Sequence, residues 1–176
     1  MGTVRRCAPV EGGVQLFRLA AVAAVLALVP LAAFAVPLAG QPAPDFRLLS
    51  PDKKIVTLGA LKGHAVYVNF FASWCGPCND EAPSIGALRA KYARSGLEIV
   101  GIDELDAPGE AAAFQKKYRG PYTVVAIDDS GTTGKAYGAI AMPVHIFINR
   151  RGVVTAYRIG QMDAGQIEAA IKDALK

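Results

Sequence analysis

Residues 65–78 read Ala65-Val66-Tyr67-Val68-Asn69-Phe70-Phe71-Ala72-Ser73-Trp74-Cys75-Gly76-Pro77-Cys78. The first seven are almost all apolar or aromatic. Such a run suits a strand covered on both faces, as in a sheet flanked by helices. The two cysteines follow at once. From Glu81 to Ala93 the apolar spacing turns helical, with Ile85, Leu88 and Tyr92 on one face. The cysteine pair therefore lies where a buried strand hands over to a helix.

That location has a chemical consequence. The thiolate is the reactive form of cysteine, and a free thiol with a pKa of about 8.5 is mostly protonated at neutral pH. Unpaired N–H groups and the dipole at a helix start favour the anion. Cys75 is thus expected to be the exposed attacking thiolate. Cys78, one turn further in, is expected to resolve the mixed disulfide that results. Pro77 lacks a donor N–H, which suits a first helical turn. A bond between Cys75 and Cys78 closes a loop too small to add much stability through chain entropy. Such a bond is better suited to being made and broken than to holding the fold. Zinc would need about four ligands, and His64, His145 and the remote Cys7 do not offer the usual spacing.

Outward from this centre, Asp45–Leu49 and Ile55–Leu58 read as a short strand pair around Ser50-Pro51-Asp52. Leu97–Ile102 reads as a strand, Asp103–Gly109 as an acidic loop and Glu110–Tyr118 as a helix. Thr123–Ile127 reads as a strand and Thr133–Tyr137 as a short helix. Val144–Ile148 and Val153–Ile159 flank the turn Asn149-Arg150-Arg151-Gly152, a hairpin signal. Asp163 is placed to cap a closing helix, Ala164–Leu175, with Ile167, Ile171 and Leu175 inward. The order predicts an α/β fold with a central mixed sheet, helices on both faces and an N-terminal β-hairpin.

The 176 residues divide into a segment 1–40 and a domain 41–176. Leu19–Ala39 carries no charge and approaches the roughly 20 residues that span a bilayer. Arg5, Arg6 and Arg18 precede it, which keeps the N-terminus inside and sends the domain out. Ala33-Phe34-Ala35 also has the form of a signal-peptidase site. The segment is either a retained anchor over 19–39 or a signal cleaved near Ala35, and both readings make the domain periplasmic or extracytoplasmic. Gln41-Pro42-Ala43-Pro44 reads as a linker. The net charge is +4, and no basic patch is interleaved with aromatics, so no nucleic-acid partner is expected.

With Trp74–Cys78 preceded by Tyr67–Phe71, the sequence resembles thioredoxin-like proteins. More closely, it resembles the TlpA/ResA/DsbE-type extracytoplasmic thiol–disulfide oxidoreductases, from about Gln41 to the C-terminus. Ala43-Pro44-Asp45-Phe46, Glu81-Ala82-Pro83, Met142-Pro143 and the turn 149–152 carry the resemblance further. It implies a thioredoxin-like fold whose catalytic residues are Cys75 and Cys78, supported by Trp74, Gly76, Pro77, Met142 and Pro143. Pro143 would be cis and face the cysteines, leaving the Met142 backbone free for an extended substrate. Pro83 would bend the helix. Asn69 stands where cytoplasmic thioredoxin has a buried aspartate, and it cannot take a proton from Cys78. Alignment over 97–114 then offers Asp106 or Glu104 as the carboxylate that shuttles protons. Glu81 matches the family pattern either as a solvated carboxylate or as part of the site.

The resemblance further implies a reductase for disulfides of exported proteins, among them apocytochrome c. Its electron donor would be a membrane thiol-transfer protein, and it would need no cofactor beyond its own disulfide and act as a monomer. Two other classes compete. A copper metallochaperone would use Cys75, Cys78 and His145, since soft thiolates with imidazole suit copper. A peroxidase would explain Ala43–Phe46, but Ala72 occupies the position where a Thr or Ser would hold the peroxide-attacking cysteine.

Overall fold

The computed structural model describes residues 2–3 and 39–176. The Ala33–Ala35 site, Cys7 and all but the last residue of the apolar run lie outside the described residues. Among the described residues no helix is long and apolar enough to cross a membrane.

The strands are β1 (Arg47–Leu49), β2 (Ile55–Thr57), β3 (Ala65–Phe71), β4 (Leu97–Glu104), β5 (Val124–Asp128), β6 (Val144–Ile148) and β7 (Val154–Ile159). The helices are α1 (Gly76–Lys91), α2 (Glu110–Lys117), α3 (Thr132–Tyr137) and α4 (Ala164–Leu175), with a 3-10 turn at Leu58–Leu61. The strands form one mixed sheet in the order β2-β1-β5-β4-β3-β6-β7. β3, β4 and β5 run parallel, while β6 and β7 are antiparallel to their neighbours. β1 and β2 make the expected N-terminal hairpin.

β3 lies between β4 and β6 and is buried at all seven positions. Its side chains alternate between two cores, as the two-residue repeat of a strand requires. Tyr67 and Phe71 face the layer of α1, α2 and α4, which also holds Cys75 and Cys78. Val66, Val68 and Phe70 face the other layer, closed by Tyr137 of α3 and by Leu58 and Leu61. Helices thus cover both faces, unequally: three on the cysteine side and one short one opposite. α4 is held at its start by Asp163, whose side chain accepts from Gln166 N while Gln166 returns a bond to Asp163 N.

Two expectations change. β4 continues through Asp103 and Glu104, which are not loop residues. Parallel pairing of Phe71 with Asp103 and of Glu104 with Asp128 extends the ladder past the point where polar residues suggested a break. Gln41–Pro44 is not a free linker. Gly40 N bonds Val154 O at 2.8 Å, Val154 N bonds Gln41 O at 2.9 Å, and Ala43 N bonds Gly152 O at 2.9 Å.

Gly101 shows how tightly the cysteine-side core is packed. A Cβ there would sit 2.4 Å from Tyr122 Cδ2. Because Tyr122 is buried, its ring has little room to retreat. Gly101→Ala should lower the unfolding free energy by about 1–3 kcal/mol, the usual cost of overpacking, as read by urea denaturation.

Candidate active site

The end of β3 delivers the chain to the start of α1. Cys75 is the N-cap of α1, and Cys78 N–H donates to Cys75 Sγ at 3.2 Å. A helix-start donor is thus already aimed at the sulfur that would carry negative charge after reduction. Cys75 and Cys78 form a disulfide, with their Cα atoms 5.3 Å apart. Cys75 is only 5% exposed and Cys78 1%, so the oxidised form covers the sulfur expected to stand open. Cys75 remains the more accessible of the two. Trp74 beside it is 67% exposed, and Gly76 and Pro77 are also at the surface. The Met142–Pro143 peptide is cis. Pro143 is buried, and Met142 packs against the core that contains both cysteines.

The segment before Trp74 is tied down on two sides. Asp106 Oδ2 accepts from Ser73 N at 2.6 Å and Oδ1 accepts from Ser73 Oγ at 2.9 Å. Asn79 Nδ2 donates to Ser73 O at 2.9 Å and to Cys75 O at 2.7 Å. Its Oδ1 accepts from Lys117 Nζ and Tyr118 OH of the α2 end. Both oxygens of Asp106 are committed to Ser73, which makes it a clamp on the segment. Asp103, beside it, is buried, and its Oδ1 has no partner. Burial first, and the neighbouring Asp106 second, push the Asp103 carboxyl up to about 8.

Glu104 does not belong with them. Ile99 lies in the cysteine-side core, whereas Val100 and Ile102 lie in the opposite one. Strand alternation therefore carries Glu104 to the face away from the cysteines, against Gly131 and Gly134 of the α3 region. Its carboxyl is pushed up to about 7 by burial and then by Asp128. The sheet separates it from Cys78, so it cannot exchange protons there directly.

The buried carboxyl on the cysteine helix is Glu81. It is 3% exposed and one turn beyond Cys78, which places the two side chains on one helix face. Glu81 Oε1 accepts from Met162 N at 2.5 Å, while Oε2 has no partner. Burial pushes the carboxyl up to about 7 against the lowering effect of the Met162 N–H, with Asp80 adding a smaller push upward. The signal was in the sequence: residues 78, 81, 82, 85 and 88 form one i, i+3, i+4, i+7 stripe, and all five are buried. Glu81 is the charged member of an otherwise apolar face.

Asn69 and His145 pair across β3 and β6 on that same side. Asn69 Oδ1 accepts from Tyr122 OH at 2.7 Å. Its Nδ2 donates to Val144 O at 3.3 Å. His145 is fully enclosed, with Nδ1 at 2.7 Å from Tyr67 OH and Nε2 at 3.1 Å from Gly160 O. A carbonyl can only accept, so the partners assign the proton to Nε2 and leave Nδ1 to accept from Tyr67. Burial lowers the imidazole to about 4, which keeps it neutral near pH 7. With both ring nitrogens engaged, His145 is not free to complete a copper site with the cysteines. Among the described residues no group of three or more His, Cys, Asp or Glu side chains is arranged to hold a metal ion.

The Redoxin family matches residues 38–175. The thiol-disulfide oxidoreductase ResA of Bacillus thuringiensis subsp. konkukian is 33% identical over 133 residues, 76% of each chain. The thiol:disulfide interchange protein DsbE of Allochromatium vinosum is 30% identical over 130 residues, 73% of this chain and 70% of its own. Among solved structures, a putative thiol:disulfide interchange protein DsbE from Chlorobium tepidum superposes with a TM-score of 0.72 at 33% identity. That match covers 80% of this chain and 99% of the other.

Proposed function

Because the chain belongs to the Redoxin family and is a thiol–disulfide oxidoreductase of thioredoxin-like fold, we propose that it acts outside the cytoplasm as a reductase of disulfides in exported proteins. The observation that carries this reading is the Cys75–Cys78 disulfide at the N-cap of α1, with Cys78 N–H donating to Cys75 Sγ.

The reaction starts from the dithiol. The Cys75 thiolate attacks one sulfur of a substrate disulfide, whose other sulfur leaves as a thiolate and takes up a proton. Cys78 then loses its proton and attacks Cys75 Sγ. The second substrate thiolate is released and takes up a proton, and the Cys75–Cys78 disulfide forms. Two electrons and two protons have passed to the substrate. Glu81, one turn from Cys78 and poised near neutral pH, is the base that receives the Cys78 proton. Asp106 holds Ser73, and with it the approach to Trp74 and Cys75. Trp74, Met142 and cis Pro143 supply the surface on which an extended substrate rests.

The domain follows an uncharged run with arginines before it, which supports an extracytoplasmic site, anchored or released. A membrane thiol-transfer protein would return the electrons, and apocytochrome c is a substrate of the right chemistry. The protein works as a monomer with no cofactor beyond its disulfide. The reduction potential of the Cys75–Cys78 couple tests the direction. A value well below about −200 mV supports a reductase, and one near about −120 mV would make the protein an oxidant.

A further inference from the structure

We propose that His145 is a positioning residue for proton transfer at Cys78: its Nε2–H, hydrogen-bonded to Gly160 O and 3.6 Å from Glu81 Oε1, biases the Glu81 carboxyl toward its charged form and so shifts the pH at which the resolving thiol becomes active. The inference rests on the role given above to Cys75 and Cys78 and extends it to a residue outside the cysteine helix.

The geometry begins with the ring. His145 is fully enclosed, and its ring stacks on Tyr67 at 5.9 Å between centroids. Tyr67 in turn stacks on Phe147 at 4.6 Å. A ring held this way does not turn over. Tyr67 OH donates to Nδ1, and Asn69 Nδ2 faces the same nitrogen at 3.3 Å. The proton must therefore sit on Nε2, which faces two acceptors: Gly160 O at 3.1 Å and Glu81 Oε1 at 3.6 Å. With the other tautomer a lone pair would confront both oxygens. The neutral imidazole thus points an N–H dipole at the carboxylate without forming an ion pair.

The carboxyl is oriented accordingly. Oε1 faces two N–H groups, from Met162 and His145, while Oε2 has no partner. Oε2 is the oxygen left to carry a proton, on the helix face that Glu81 shares with Cys78. The other titratable groups around Glu81 are Asp80 on α1, Tyr67 on β3 and Tyr122 before β5, with Asp103 of β4 acting on Tyr122. None of these presents an N–H to the carboxyl; among the described side chains His145 Nε2 approaches it at 3.6 Å. The segment between β7 and α4 contributes only backbone, Gly160 O and Met162 N–H.

The test uses the full chain and two readouts: the pH titration of the Glu81 carboxyl by carbon NMR, and the pH dependence of the rate of disulfide reduction. In His145→Leu the N–H is lost, the carboxylate is less favoured, and both midpoints should move up by about one pH unit, a tenfold change in proton affinity. His145→Gln, which can present an amide N–H, should bring both midpoints most of the way back. The rate plateau at high pH should survive in both. If the folded His145→Leu protein keeps both midpoints within about 0.2 pH of the wild type, the proposal is wrong. If the plateau falls while the midpoints stay, His145 is merely structural and the proposal is equally wrong. Should His145→Leu not fold, His145→Met, which also lacks an N–H, replaces it with the same expected rise, and unmoved midpoints in the folded His145→Met protein overturn the idea. A wild-type protein that reduces no disulfide at any pH would instead sink the reductase reading.

Discussion

Cys78→Ser should leave the reduced protein covalently joined to its substrate. The Cys75 thiolate still attacks at the helix N-terminus, but no second sulfur lies behind it to break the mixed disulfide. An adduct should therefore accumulate, visible by mass spectrometry and on a non-reducing gel, and turnover should stop after one event. Cys75→Ser should give no adduct and a loss of rate on the order of a thousandfold or more, as expected when a nucleophile is removed. The asymmetry follows from burial and capping: Cys75 Sγ receives the helix N–H, and Cys78 is the deeper of the pair. An adduct formed through Cys78 in the Cys75→Ser protein would reverse the assignment of the two sulfurs.

Stability should fall as pH rises from about 4.5 to 8. Glu81, Asp103 and Glu104 are all pushed above the ordinary carboxyl range, to about 7, 8 and 7. A group whose pKa is raised by folding contributes stability fully present below its unfolded pKa and lost as pH passes through its folded one. These three therefore favour the folded chain in acid and cease to do so near neutrality. His145 works the other way. Its lowered pKa gives stability present above about 6.5 and lost as pH falls through about 4. Glu168, lowered to about 2 with Lys172 as the first cause, acts below this window. Three carboxyls outweigh one imidazole. A pKa that folding moves by one corresponds to about 1.4 kcal/mol, so even part of these changes leaves a net loss of several kcal/mol. Urea denaturation at pH 5 and pH 8 measures it. Equal or greater stability at pH 8 would contradict the burial of these carboxyls, and Glu81→Gln should flatten the curve by its own share.

Most of the frame could be read along the chain. β3, β6 and α4 stand where apolar runs and the Asp163 cap put them, because those signals are local. The strand-to-helix handover at Cys75 was equally local. The polar interior was harder to see. Asp103 and Glu104 looked like loop because two acids in a row rarely lie within a ladder, and only pairing with β3 and β5 keeps them there. Their opposite faces decide which of them can reach the cysteines. Glu81 was visible as a break in an apolar stripe and matched the family pattern, but the alignment over 97–114 drew attention to the loop at Asp106 instead. His145 could not be placed, since its partners come from β3, α1 and the segment after β7, brought together only by the finished sheet.

The pinning of Gly40–Ala43 onto β7 and its turn has a consequence for reach. β6 runs antiparallel to β3, so the 149–152 turn lies at the opening end of β3, while the cysteines follow its closing end. Seven strand residues at about 3.3 Å each separate the two ends by about 20 Å. Whatever precedes residue 39 is thus attached at the pole remote from the disulfide. If the segment before residue 39 is retained as an anchor, the domain is held from the pole opposite its cysteines.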